Sequence, residues 1–167
     1  VDFYKKTGAR AMHPLRRDLF EHKELYTGEM ECLCSPYIEK KSNLFLSLLP
    51  QHLFAAQKKY FSFDIVEKYN EYRFAIVGEE YYNGLPGIGA FEAMACGTVL
   101  LAYPGCYKGL GLEEGVHYIA HNNNLNQIQS IINTEKENIE KLETISEKAV
   151  SWVADNMQSR QIFKKLV

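Results

Sequence analysis

A chain of 167 residues, 46% hydrophobic and 24% charged, has the balance of a soluble globular domain and the length to bury a core. Its net charge of −2, from 19 basic against 21 acidic side chains, lacks the basic excess of a nucleic-acid binder, so no nucleic-acid partner is expected. No apolar run approaches the roughly 20 residues that span a bilayer.

No secretory signal opens the chain, and a cytoplasmic location is expected. The start at Val1 without a methionine fits a piece of a longer protein. Cys32, Cys34, Cys96 and Cys106 read as four reduced thiols. Cys32 and Cys34 stand too close together for an easy mutual disulfide, and no partner set at zinc-ligand spacing accompanies them. No metal site is expected.

In chain order, Phe3–Lys6 reads as a short strand before a turn at Thr7-Gly8. A helix begins near Pro14 and carries Leu15, Leu19 and Phe20 on one face. Glu31–Ser35 reads as a short buried strand, and Asn43–Tyr72 as helical with an interruption at Pro50. Phe74–Val77 is a continuous apolar run, the pattern of a strand covered on both faces. After it come a glycine-bearing loop, Glu79–Gly89, and a helix, Phe91–Cys96, stopped by Gly97.

Thr98–Tyr103 and Val116–Ala120 read as further strands. Leu125–Ile132, Glu135–Asn156 and Gln158–Val167 read as helices. Strands alternating with helices imply an α/β fold: a parallel sheet in a Rossmann-like three-layer αβα arrangement with a helical C-terminus, one domain over residues 1–167.

Ligands of open parallel sheets bind beyond the carboxyl ends of the strands, which places the loop after Val77 at the expected site. Its run Gly84-Leu85-Pro86-Gly87-Ile88-Gly89 leads into a helix. Glycines let a ligand approach the backbone, and the first helical amides have no internal partner, which suits a pyrophosphate. Glu92, expected within the first turn, is placed to reach a sugar hydroxyl pair beside those phosphates. The same residues also fit a tight turn with Glu92 complementing the helix dipole. The glycine spacing differs from a dinucleotide fingerprint, and no acidic residue ends the next strand, where Tyr103-Pro104 stands.

The run Phe91-Glu92-Ala93-Met94-Ala95-Cys96-Gly97-Thr98-Val99-Leu100-Leu101 resembles the signature of GT-B type glycosyltransferases, in their C-terminal donor-binding domain. Glu113-Glu114-Gly115-Val116-His117-Tyr118-Ile119 is similar to the family's next element, and the resemblance extends from about Tyr72 onward. It implies that Glu92 hydrogen-bonds the ribose of a nucleotide-sugar donor and that Gly87, Ile88 and Gly89 face its pyrophosphate and sugar. Many members carry an earlier glutamate where Gly84 stands here; Glu79 or Glu80 is the nearest acidic substitute.

Basic contacts to the phosphates are expected from the cluster Arg10, His13, Arg16 and Arg17, foremost Arg10 and Arg16. Arg73 precedes its strand and lies at the wrong end of the sheet. His117 and His121 are expected to be structural. The implied activity is metal-independent transfer of a sugar from a UDP- or GDP-sugar to an acceptor glycan or lipid, with no further cofactor. A second, acceptor-binding domain is expected to complete the enzyme and to provide any membrane association. Two alternatives stand beside this: a fucosyltransferase-like enzyme of the same architecture, for the acidic run after Phe74–Gly78, and a non-catalytic nucleotide-binding or interaction module.

Overall fold

The computed structural model describes residues 13–22, 30–31, 63–78 and 86–157. Along these the elements are α1 (Pro14–Glu21), α2 (Ile65–Asn70), β1 (Phe74–Ile76), α3 (Ile88–Ala95), β2 (Val99–Ala102), a 3-10 turn (Pro104–Cys106), β3 (Ile119–Ala120), α4 (Leu125–Glu135) and α5 (Ile139–Asn156). The expected strand at Phe3–Lys6, Cys32–Ser35 of the expected second strand, helical residues 43–62 and the helix Gln158–Val167 lie outside the described residues. Among those described, no helix is long and apolar enough to cross a membrane.

The sheet is parallel, in the order β1-β2-β3. Phe74, Ala75 and Ile76 pair with Val99, Leu100 and Leu101, and Leu101 and Ala102 pair with Ile119 and Ala120. Helix α3 connects the two parallel neighbours β1 and β2. Successive strand residues point to opposite faces, and the two faces carry different apolar clusters. Val99, Leu101 and Ile119 pack with Leu15 and Leu19 of α1, Ile128 of α4, and Leu142 and Ile145 of α5. Leu100 and Ala102 pack on the other side with Ala90 and Met94 of α3, Tyr107, Tyr118 and Ala149. All four residues of β2 are buried, which is why this central strand reads as an unbroken apolar run.

Several boundaries differ from expectation. The helix expected over Phe91–Cys96 begins at Ile88, with Gly87 as an extended N-cap (φ −71°, ψ 148°). Glu92 is therefore in the second turn, not the first. At the other end the amides of Gly97 and Thr98 donate to the carbonyls of Met94 and Ala93, and Gly97 takes φ 80°. Together these form the left-handed glycine stop known as a Schellman motif.

The strand expected over Val116–Ala120 shrinks to Ile119–Ala120, because the amides of Val116 and His117 both turn back to the carbonyl of Glu113. Helix α4 runs on to Glu135. Helix α5 starts only at Ile139, after a break at which the Asn138 amide bonds the Glu135 carbonyl.

Candidate functional site

The first turn of α3 is drawn tightly onto the carboxyl end of β1, and glycines make this possible. A Cβ placed on Gly87 would stand 3.0 Å from Cγ1 of Val77 and 3.3 Å from the carbonyl oxygen of Gly78. One placed on Gly89 would stand 3.1 Å from the hydroxyl of Tyr69, which itself donates a 3.2 Å hydrogen bond to the Gly89 carbonyl. Both glycines thus face the protein, and a side chain at either would push the helix mouth away from the strand.

Ala90 makes the first intrahelical bond, to the carbonyl of Gly87 at 3.0 Å, so the amides of Ile88 and Gly89 stand ahead of it. The N-cap, Gly87, has no side chain with which to cap this end. A glycine-capped first turn in such a position has the partial positive charge of an anion site.

Arg16 arrives from the opposite direction. Pro14 opens α1 at its first position, and Leu15 and Leu19 bury one face against the sheet. That docking brings the Arg16 backbone over Gly78, where a Cβ would meet the Cβ of Arg16 at 2.6 Å and its amide nitrogen at 3.4 Å. Arg16, Gly78 and Gly87 are therefore contiguous. The next residue, Arg17, pairs its Nε with Glu21 at 2.6 Å one turn along the same helix.

Glu92 is exposed and shares a helix face with Ile88, four residues earlier and 76% exposed. The opposite face, with Ala90, Ala93 and Met94, is buried. Glu92 and Asp64 lie close enough to Cys96 to help burial push that thiol's pKa upward, which keeps it protonated. Arg10, Glu79, Glu80 and Gly84 lie outside the described residues.

The set aside Arg73 is tied at the far end of the sheet, its guanidinium donating to the Lys136 carbonyl at 2.6 Å. His117 accepts the Glu113 amide on Nδ1 at 3.0 Å and so braces the turn before β3. Among the described residues no group of three or more His, Cys, Asp or Glu side chains gathers to hold a metal ion.

Two residues at the carboxyl edge carry more than their sequence suggests. Tyr103 directly follows β2 and is 40% exposed. His121 directly follows β3, is 2% exposed, and donates its amide to the Ala102 carbonyl at 2.9 Å. Its Nδ1 accepts the Asn123 amide at 3.1 Å, which leaves the proton of the neutral ring on Nε2, buried and without a partner. Burial lowers its pKa to about 4, outweighing the Leu101 backbone, which acts in the opposite direction. No local pattern in His121-Asn122-Asn123-Asn124 signals this burial; it follows from the alignment of β3 on β2.

Comparison with protein-family models, with curated proteins and with solved structures finds no match.

Proposed function

We propose that this chain is a nucleotide-sugar-binding domain of a glycosyltransferase, of Rossmann-like three-layer αβα form. The observation that carries it is the first turn of α3, opened by a glycine N-cap without a side chain and held on the carboxyl end of β1 by Gly87 and Gly89, with Arg16 beside it on Gly78. Amide hydrogens and a guanidinium side chain then bind the diphosphate of a UDP- or GDP-sugar. Glu92, exposed one turn along the same helix, takes a hydroxyl pair of the ribose, as the resemblance of its surrounding sequence implies.

When the sugar leaves, negative charge grows on the nucleoside diphosphate, and preorganised donors stabilise that charge without first having to reorient. The acceptor hydroxyl and the base that deprotonates it come from a second domain in the same cytoplasmic enzyme. Ile88, 76% exposed at the helix mouth, is an apolar surface for that domain to cover.

Calorimetry with a panel of UDP- and GDP-sugars tests the proposal. Saturable binding that disappears in Glu92→Ala and weakens at least tenfold in Arg16→Ala is expected. A folded chain that binds no nucleotide sugar defeats the donor-domain proposal and favours a non-catalytic interaction module.

A further inference from the structure

The connection from β3 to α4 is a chain of hydrogen bonds with a histidine at its root. His121 donates its amide to the Ala102 carbonyl of β2 at 2.9 Å, and its ring Nδ1 accepts the Asn123 amide at 3.1 Å. Asn123 takes φ 63°, the one positive φ outside glycine among the described residues, so the turn holds its shape against a local preference. The Asn124 amide donates to the Asn122 side chain at 3.1 Å, and the Asn122 amide reaches forward to Oε1 of Gln127 at 2.6 Å. The Asn124 side chain then caps α4, accepting the amides of Asn126 at 2.9 Å and Gln127 at 3.2 Å.

Helix α4 depends on this turn for its start, because Ile128 is its one buried residue. Between His121 and Ile128, His121 is also the one titratable residue. A proton added to its neutral ring goes to Nδ1, the atom that accepts the Asn123 amide, so the charged ring meets that amide donor to donor. Nε2–H is already buried without a partner. The Leu101 backbone of β2 favours the charged ring, and burial outweighs it. Among the described residues no carboxylate or cation acts on the ring, neither Arg16, Arg17, Asp18 or Glu21 of α1 nor Glu135 of α4.

We propose that the His121 ring is an acid-sensitive clasp on the β3–α4 connection. Neutral, it closes the Asn122–Asn124 turn and fixes the start of α4; protonated, it releases both without unfolding of the sheet. The clasp is independent of what the domain binds. Once the connection opens, the ring reaches water and takes up a proton near pH 6.5, which the closed form refuses down to about 4. The closed form is therefore fully favoured above pH 6.5 and loses its advantage as the pH falls toward 4.

Amide hydrogen exchange of the full chain, followed by NMR at pH 7 and pH 4.5 and corrected for the intrinsic pH dependence of exchange, provides the test. The amides of Asn123, Gln127 and Ile128 are expected to exchange faster than that of Val99 in β2, through an opening of their own. Their protection should fall by about 50-fold between the two pH values. His121→Asn, which keeps an acceptor but cannot take up a proton, should make that protection independent of pH. His121→Gln should do the same, and serves where the asparagine variant does not fold.

Connection amides that are protected as strongly as Val99 at both pH values overturn the clasp, because the turn then opens only with the whole chain. So does a weaker protection that is unchanged by pH, since that opening leaves the ring buried. A pH-dependent loss that persists in a folded His121 variant overturns it as well.

Discussion

The Cβ of Arg16 stands where a side chain on Gly78 would have to go, 2.6 Å from the position such an atom would take. Real Cβ atoms do not approach that closely, so the first turn of α1 and the end of β1 fit together only because one partner lacks a side chain. Helix α1 also contributes Leu15 and Leu19 to the core beneath. The contact therefore joins folding to the placement of the candidate phosphate ligand.

Gly78→Ala should destabilise the domain by about 1–3 kcal/mol through overpacking, lowering the thermal midpoint by several degrees. Adding Arg16→Ala should not restore it, because alanine keeps the offending Cβ. A Gly78→Ala variant that melts with the unaltered chain would show that α1 is free to move away from β1.

At the second tight contact, the Tyr69 hydroxyl bonds the Gly89 carbonyl at 3.2 Å and blocks a side chain there at 3.1 Å. Tyr69→Phe removes the hydrogen bond and the obstruction together, at a cost of about 1 kcal/mol. Gly89→Ala alone should cost about the same or more, yet cost less in the Tyr69→Phe background. A double-mutant cycle from urea denaturation reads this coupling directly. Strict additivity would mean that the two residues do not press on each other.

These contacts mark where the sequence could be read and where it could not. The apolar runs at Phe74–Val77 and Thr98–Tyr103 are legible as β1 and β2 because a strand covered on both faces needs no polar alternation. Pro14 and the spacing of Leu15 and Leu19 likewise reveal α1.

The start of α3 is less legible. Gly89 reads locally as a loop residue, but Tyr69 and Val77, distant in sequence, make glycine a packing requirement inside the first turn. Val116 and His117 suit a strand by residue type, and the carbonyl of Glu113 takes both amides for a turn instead. At the site, Arg16 is visible in sequence only as one charge in a cluster. Its approach to Gly78 is a tertiary contact without a local signature, as is the burial of His121.

The left-handed stop after α3 yields a prediction on the structural side of the site. Gly97 has φ 80°, its carbonyl accepts the Ser146 hydroxyl at 2.7 Å, and a Cβ there would stand 3.2 Å from the same oxygen. Gly97→Ala meets both the backbone penalty, about 1–2 kcal/mol, and the steric one. It should destabilise more than Ser146→Ala, which loses a single hydrogen bond worth about 1 kcal/mol. Chemical denaturation of the two variants side by side checks the order, and the reverse order would contradict the strained glycine geometry.

Acid should find His121 before most of the core. Its folded pKa of about 4 lies below the 6.5 of an unfolded histidine, so between those values the unfolded chain binds a proton that the folded chain refuses. The stabilising effect of keeping this ring neutral is complete above pH 6.5 and is lost as the pH falls toward 4. The gap of about 2.5 corresponds to about 3–4 kcal/mol at most. His121→Asn offers the Asn123 amide an acceptor but cannot take up a proton, so it should remove this part of the acid sensitivity. Urea denaturation at pH 7 and at pH 4.5 should show the variant losing distinctly less stability across the interval than the unaltered chain. Parallel losses would mean that the folded protein protonates His121 as readily as the unfolded one, and that the Nε2 site opens to water or to an acceptor once the ring is charged.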